Sequence, residues 1–186
     1  FFVFLFCFVI LIFDGFRQYF LEAGFVEAPK MNGRISSLFG SEYILGSYLS
    51  RFFPIFLGIT IYLYANRKNI ISLVAIIFVL VEVLIFLSGE RAAFFFNTLA
   101  ALFVIIMIKD FKIIRLLSLL LAFLIIFFIT NFDDSAKKRI FDETLQQIGI
   151  SNSTKTTDKK INMFSTVHES HYKSAYTMYL DNKVLG

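Results

Sequence analysis

The sequence predicts an all-α fold, a polytopic transmembrane helical bundle of about five spans followed by a long polar outer loop containing short helices. Composition is the first reason. Of 186 residues, 58% are apolar, 26 are Phe and only 17% are charged, against roughly 25% charged in ordinary soluble domains. A chain this short has too little interior to hide so much apolar side chain, which excludes a water-soluble globular fold. Charge-free runs such as 116-130 are the second reason, because they are near the length a helix needs to cross a bilayer. The third is the lack of ten-residue segments of alternating polarity: backbone groups in hydrocarbon must pair internally, and without a barrel pattern the helix is what remains.

Five apolar segments follow one another at 1-13, about 44-65, 70-88, 92-108 and about 113-131. The first is short because the chain opens on Phe1 in mid-run, and the end at DNKVLG carries no terminating signal. The sequence therefore reads as an internal stretch of a longer membrane protein, expected to be inactive by itself. Between the spans lie a polar segment at 14-43, a tight link at Asn66-Asn69, a turn at Ser88-Arg91 and a basic link at 109-115. These divide the chain into a membrane region, 1-131, and an outer loop, 132-186. In that loop 151-160 is polar, whereas 161-182 mixes aromatic, histidine and apolar residues. Tyr172, Tyr176 and Tyr179, with Ala175 and Leu180, recur at spacings of three and four, which predicts an amphipathic helix along the membrane interface.

Lysine and arginine in short links mark the cytoplasmic side. Arg67 and Lys68 occupy one link and Lys109, Lys112 and Arg115 the other, so alternating helices put both on one side and 14-43, Ser88-Arg91 and 132-186 outside. Lys137, Lys138 and Arg139 oppose this, although long translocated loops are less bound by the rule. The formal charge of +4 does not imply nucleic acid as a partner, because the basic residues are scattered between spans. The one cysteine, Cys7, lies in the first span and allows no internal disulfide or cysteine-ligated metal. A cleavable signal peptide is a poor reading of 1-13, which no basic region precedes and Asp14 follows.

No Walker loop, HExxH, GxSxG, EF-hand loop or DxD pair occurs, and the adjacent Asp133 and Asp134 would point apart on regular backbone. No cofactor or metal is expected. An outward set of cations remains, Arg17, Arg34, Arg51, Arg91 and Arg139, with His168 and His171 in the loop. Guanidinium groups grip phosphate oxygens through paired charge-assisted hydrogen bonds, so such a set suits an anionic, lipid-borne substrate. Each has a plainer reading too. Arg51 can snorkel to the headgroups, Arg17 and Arg34 can be solvated loop charges, Arg91 can be neutralised by Glu90, and the histidines can be solvated. Glu82 stands mid-span, either protonated and inert or bonded to Asn97 or Thr98 of the next helix, and an interhelix bond is the favoured reading.

FDGFRQYF (13-20), NGRISSLFGSEYILGSYLSRFFP (32-54), LSGERAAFF (87-95) and HESHYKSAYTMYLDNKVLG (168-186) occur in that order and cover nearly the whole chain. Together they resemble the landmarks of the O-antigen ligase and O-antigen polymerase family of bacterial envelope proteins. In that family an arginine at the outer end of a helix, in a motif like the one holding Arg91, and basic residues of a large periplasmic loop engage an undecaprenyl-pyrophosphate-linked glycan. Two departures stand out. His168 occupies the place where many relatives have an arginine ahead of the aromatic matched by Tyr172, so the loop arginine is replaced or is supplied by Arg139. The family's later histidine motif would lie past Gly186, so no general base is assigned to His168 or His171.

The resemblance implies a multi-pass protein of the bacterial inner (cytoplasmic) membrane with a periplasmic active face, active in lipopolysaccharide or surface polysaccharide biosynthesis. It implies a metal-independent glycosyltransferase that uses Arg91 and basic residues of the outer loop; joined to the outward set of cations, this gives Arg91, Arg34 and Arg139 as the expected catalytic residues and His168, His171 and Arg17 as substrate contacts. Expected partners are undecaprenyl-pyrophosphate-linked glycan, an acceptor glycan or lipid A-core, and membrane lipids. Two other classes compete. A transporter or flippase of lipid-linked oligosaccharide predicts helices broken near mid-membrane, and a structural subunit would leave the arginines unrelated in space.

Overall fold

The computed structural model describes residues 1-26, 34-64, 67-108, 110, 112-132 and 166-181, which form helices and connecting segments without a strand. Among the described residues six α-helices follow in order: α1 Phe2–Leu21, α2 Leu45–Tyr64, α3 Lys68–Ser88, α4 Arg91–Met107, α5 Lys112–Phe132 and α6 Thr166–Asp181, with a 3-10 turn at Ser37–Phe39 ahead of α2. The chain divides into two compact units, Phe1–Ile140 with α1 to α5 and Phe141–Gly186 with α6.

Three helices, α1, α3 and α5, are long and apolar enough to cross a membrane. The other two helices of the first unit fall short in different ways. At 17 residues and about 1.5 Å per residue, α4 is a little shorter than the ~30 Å hydrocarbon core. In α2 the apolar run is diluted by Arg51, Pro54, Gly46 and Gly58. Burial then separates a central helix from peripheral ones, because 67% of the apolar window of α3 is buried against 33% for α1 and 22% for α5. What α1 and α5 leave uncovered is large and apolar, including Phe2, Phe6, Leu117, Phe127 and Phe128. Such surface is untenable in water and suits acyl chains.

Ring contacts fix the helix directions. Phe1 packs on Tyr64 and Phe8 on Phe53, so α1 runs antiparallel to α2. Phe53 meets Phe78 of α3, Phe86 meets Phe94 of α4, and Phe94 meets Phe123 of α5. With Gly46 against Ser88, Thr98 bonded to Glu82 and Arg115 bonded to Val104 as second points of contact, consecutive helices alternate, as the charge pattern requires. One end of the bundle collects the C-termini of α1, α3 and α5 and the N-termini of α2 and α4. The opposite end carries Arg67, Lys68, Lys112 and Arg115 and is called the basic end below.

The polar segment expected from residue 14 begins later than the sequence suggests, because α1 continues through Asp14 to Leu21. Asp14 and Gln18 fall on the buried face of the helix and bind the returning chain. Ser37 Oγ donates to Asp14 at 2.8 Å, and the backbone N–H groups of Ser36 and Ser37 donate to Gln18 Oε1 at 3.0 and 2.8 Å. Polar side chains that would be costly in lipid are thus satisfied inside the protein. Gly15, between them, lets Leu84 of α3 pack close, since a Cβ there would lie 2.6 Å from a Leu84 methyl and that side chain would have to shift.

Glu82 is fully buried on α3 and bridges to α4. Thr98 Oγ1 donates to one carboxyl oxygen at 2.6 Å and Asn97 Nδ2 donates to the other, so both partners named from the sequence are used. Glu82→Ala would strand these two donors and is expected to cost about 1–3 kcal/mol, whereas Glu82→Gln, which still accepts at its carbonyl, should cost under about 1 kcal/mol. Thermal unfolding in detergent checks the difference. Equal midpoints for the two variants would remove the interhelix bond from the stability of the bundle.

Candidate functional site

At the end of the bundle opposite the basic residues, the C-terminus of α3 and the N-termini of α2 and α4 meet the segment ahead of α2. Helix α3 stops at Ser88 because Gly89 takes a left-handed conformation (φ 72) and returns its N–H to Phe86 O at 3.0 Å. Only Glu90 then separates Gly89 from Arg91, the first residue of α4. Arg34 reaches this turn from the segment before the 3-10 helix. Its Nε donates to Ser88 O at 3.0 Å and its Nη2 to Tyr43 O at 3.2 Å, with the guanidinium carbon 4.7 Å from the centre of the Tyr43 ring. A cation at the carbonyl end of α3 is favourably placed in the helix dipole, and it satisfies a carbonyl the helix leaves open.

Glu90 directs both carboxyl oxygens at the start of α2. One accepts from Gly46 N at 2.8 Å, and the other accepts from Ser47 N at 3.0 Å and from Ser47 Oγ. The sequence offered Glu90 as a neutraliser of Arg91; its observed work is to cap α2 and clamp that helix to the α3–α4 turn. The clamp is tight enough to demand glycine at position 46, where a Cβ would lie 2.4 Å from Ser88 Oγ and 3.0 Å from Glu90 Cβ. Glu90 gives no side-chain bond to α4, its own helix, and the first turn of α4 holds no acidic residue. The half-buried Arg91 thus starts α4 at its positive dipole end, in the same turn that Arg34 binds through Ser88 O.

Arg17, half-buried on the last turns of α1, belongs to the same end, with its guanidinium 4.9 Å from the centre of the Phe25 ring. Arg51 is exposed on α2, as a snorkelling side chain would be. Arg139 lies outside the described residues. His168 is within α6, but its side chain is outside what is described; His171 is exposed on the same helix. Helix α6 forms where the tyrosine spacing predicts one, and Tyr172, Tyr176 and Tyr179 are all exposed on it. In the first unit Arg34 is bonded to the turn from which Arg91 opens α4, and Arg17 lies at the same end, while the histidines belong to the second unit. Among the described residues no three His, Cys, Asp or Glu side chains gather as a metal cage.

Chemically, guanidinium groups and a helix N-terminus at one end of a bundle are the kind of groups that attract an anion. No family model, curated protein or solved structure matches this chain. Glu90, Gly46 and Tyr43 are parts of the site that sequence reasoning did not assign, apart from the pairing suggested for Glu90. The one local signal was the Ser-Gly-Glu-Arg turn, whose brevity forces Glu90 and Arg91 to a helix mouth.

Proposed function

We propose that this chain belongs to a polytopic inner-membrane glycosyltransferase of the O-antigen ligase or polymerase type. It would move glycan from undecaprenyl-pyrophosphate to an acceptor sugar hydroxyl, on a growing glycan or on lipid A-core, at the periplasmic face. All five helices of the first unit would span the membrane, with Arg67, Lys68, Lys112 and Arg115 on the cytoplasmic side. The observation that carries the reading is the bond from Arg34 to the α3–α4 turn, from which Arg91 opens α4, at the end away from the basic links.

In the reaction the anomeric carbon–oxygen bond to the pyrophosphate breaks as the acceptor oxygen bonds to that carbon; undecaprenyl-pyrophosphate leaves with the bonding electron pair, and the proton of the acceptor hydroxyl passes to the departing diphosphate or to water. Arg91 and Arg34 hold the diphosphate and stabilise that charge, the electrostatic contribution that usually dominates such catalysis. Arg139 is a third candidate for this work, and Arg17, His168 and His171 are contacts to carrier or glycan. Against the transporter reading, the described helices are continuous, and Pro54 does not interrupt α2.

The reading is tested with the native protein in lipid nanodiscs and a synthetic undecaprenyl-pyrophosphate-linked glycan. Transfer is expected to persist in the presence of EDTA. Arg34→Ala should weaken donor use about ten-fold or more, the loss expected for a charge-assisted phosphate contact. Failure of the native protein to bind or consume the donor would overturn the reading.

A further inference from the structure

A partly open groove of about 540 Å³ lies between α2, α3, α4 and α5 near the basic end, away from Arg34 and Arg91. Leu57, Ile61 and Val104 in its walls are only half-buried. A second hollow of about 220 Å³ shares Leu57, Phe78, Ala101 and Val104 with it and extends it along α4 to Asn97. From Ile105 back to Asn97 the course along α4 is about 12 Å, within one leaflet of a ~30 Å hydrocarbon core. The walls are apolar apart from Asn97, Thr60, Ser118, Asp110 and Arg115. Asn97 is bonded to Glu82, Thr60 to Phe56 O and Ser118 to Arg115 O. Hydrocarbon rather than water suits such a surface.

Charge says which lipid. Two wall residues, Ile71 of α3 and Arg115 of α5, each follow an exposed lysine by three positions, Lys68 and Lys112. That spacing puts both lysines on the groove-lining faces of their helices, one turn nearer the end. Arg67, exposed as well, immediately precedes α3. Both helices begin here, so the positive ends of their dipoles add to these cations, and neither has an acidic residue in its first turn. Among the described residues Asp110 is the one carboxylate at this end. Arg115 itself is spent on the end of α4: Nη1 donates to Val104 O at 2.9 Å, and Nη2 donates to Ile108 O and Asp110 O. Its work is to hold the groove's shape, and the exposed Arg67, Lys68 and Lys112 are left to meet a ligand.

We propose that the groove seats one acyl chain of an anionic phospholipid of the surrounding bilayer, with the lipid phosphate beside Lys68 and Lys112. The apolar walls take the chain, and the excess of positive charge at the open end selects a headgroup with net negative charge, as basic pockets between membrane helices do. The inference rests on the helices of the first unit lying in a membrane and is independent of the glycosyltransferase reading.

Photocrosslinking of the native protein in phosphatidylcholine nanodiscs tests it. The nanodiscs carry a small share of either phosphatidylglycerol or phosphatidylcholine with a diazirine midway along one acyl chain. Ala101 and Val104 line the groove, whereas Phe103 and Ile106 of the same helix face outward and are exposed, so fragmentation of one peptide reads both positions. Phosphatidylglycerol is expected to label Ala101 and Val104 about ten-fold more than phosphatidylcholine does, the preference a few basic side chains confer. At Phe103 and Ile106 the two lipids should label alike. Replacing both exposed lysines, Lys68→Ala with Lys112→Ala, should bring groove labelling by phosphatidylglycerol down to the phosphatidylcholine level. Equal labelling of Ala101 and Val104 by the two lipids in the native protein would overturn the proposal. So would an excess as large at Phe103 and Ile106, which would mean that anionic lipid gathers round the cations without entering the groove, or an excess that survives loss of both lysines.

Discussion

Arg91→Ala in the native protein is expected to abolish surface polysaccharide assembly while membrane insertion stays intact. Removing a preorganised donor to a charge that develops in the transition state costs about 10²–10³ in rate. Insertion should survive because Arg91 is a half-buried residue at a helix start, outside the buried apolar cluster that holds α1 to α5 together. Glycan length and attachment, read on gels of extracted lipopolysaccharide, report the first effect, and protein abundance in membranes reports the second. Arg91→Lys distinguishes geometry from charge. A lysine keeps the charge and loses the planar paired donors, so little activity should return if two phosphate oxygens are gripped together. Full recovery would reduce Arg91 to a point charge, and unchanged glycan in the alanine variant would remove it from the site.

Glu90→Ala acts on the frame rather than on the substrate. It removes at once the acceptors for Gly46 N, Ser47 N and Ser47 Oγ, leaving the first turn of α2 without its cap. The expected cost is about 1–3 kcal/mol of stability, and on the proposed function glycan transfer should fall as well, because the packing of α2 on the α3–α4 turn loosens. Glu90→Gln retains an amide oxygen and should fall between the two. A thermal unfolding midpoint in detergent that is the same for the alanine variant as for the parent would show that the clamp contributes nothing.

Much of the bundle is legible in one dimension, and particular elements show why. Helices α3, α4 and α5 begin and end within about two residues of the apolar segments from which they were read, because a helix in hydrocarbon must satisfy its own backbone and so follows apolar runs closely. The helix α6 was visible in the spacing of three tyrosines. Helix α1 was misjudged at its C-terminal end for an instructive reason. Asp14 and Gln18 look like the start of a loop when polarity is scored alone, yet their hydrogen bonds to Ser36 and Ser37 make them interior residues. Glu82 was a halfway case: its candidate partners were one helical hairpin away, and the short Ser88-Arg91 turn limited the choice to Asn97 and Thr98.

By itself, the sequence determined that this protein is helical, that several of its helices have the length and apolarity of membrane spans, and that its basic links fall at one end. Those properties follow from local composition and from a residue's spacing to its neighbours. Tertiary structure alone decided which polar groups meet: Arg34 with Ser88, 54 residues apart, and Glu90 with Gly46, 44 apart. Such meetings depend on how each helix is rotated and how closely two backbones approach, as at Gly46 against Ser88. Those quantities are set by packing across the whole bundle, and no short stretch of the chain contains them.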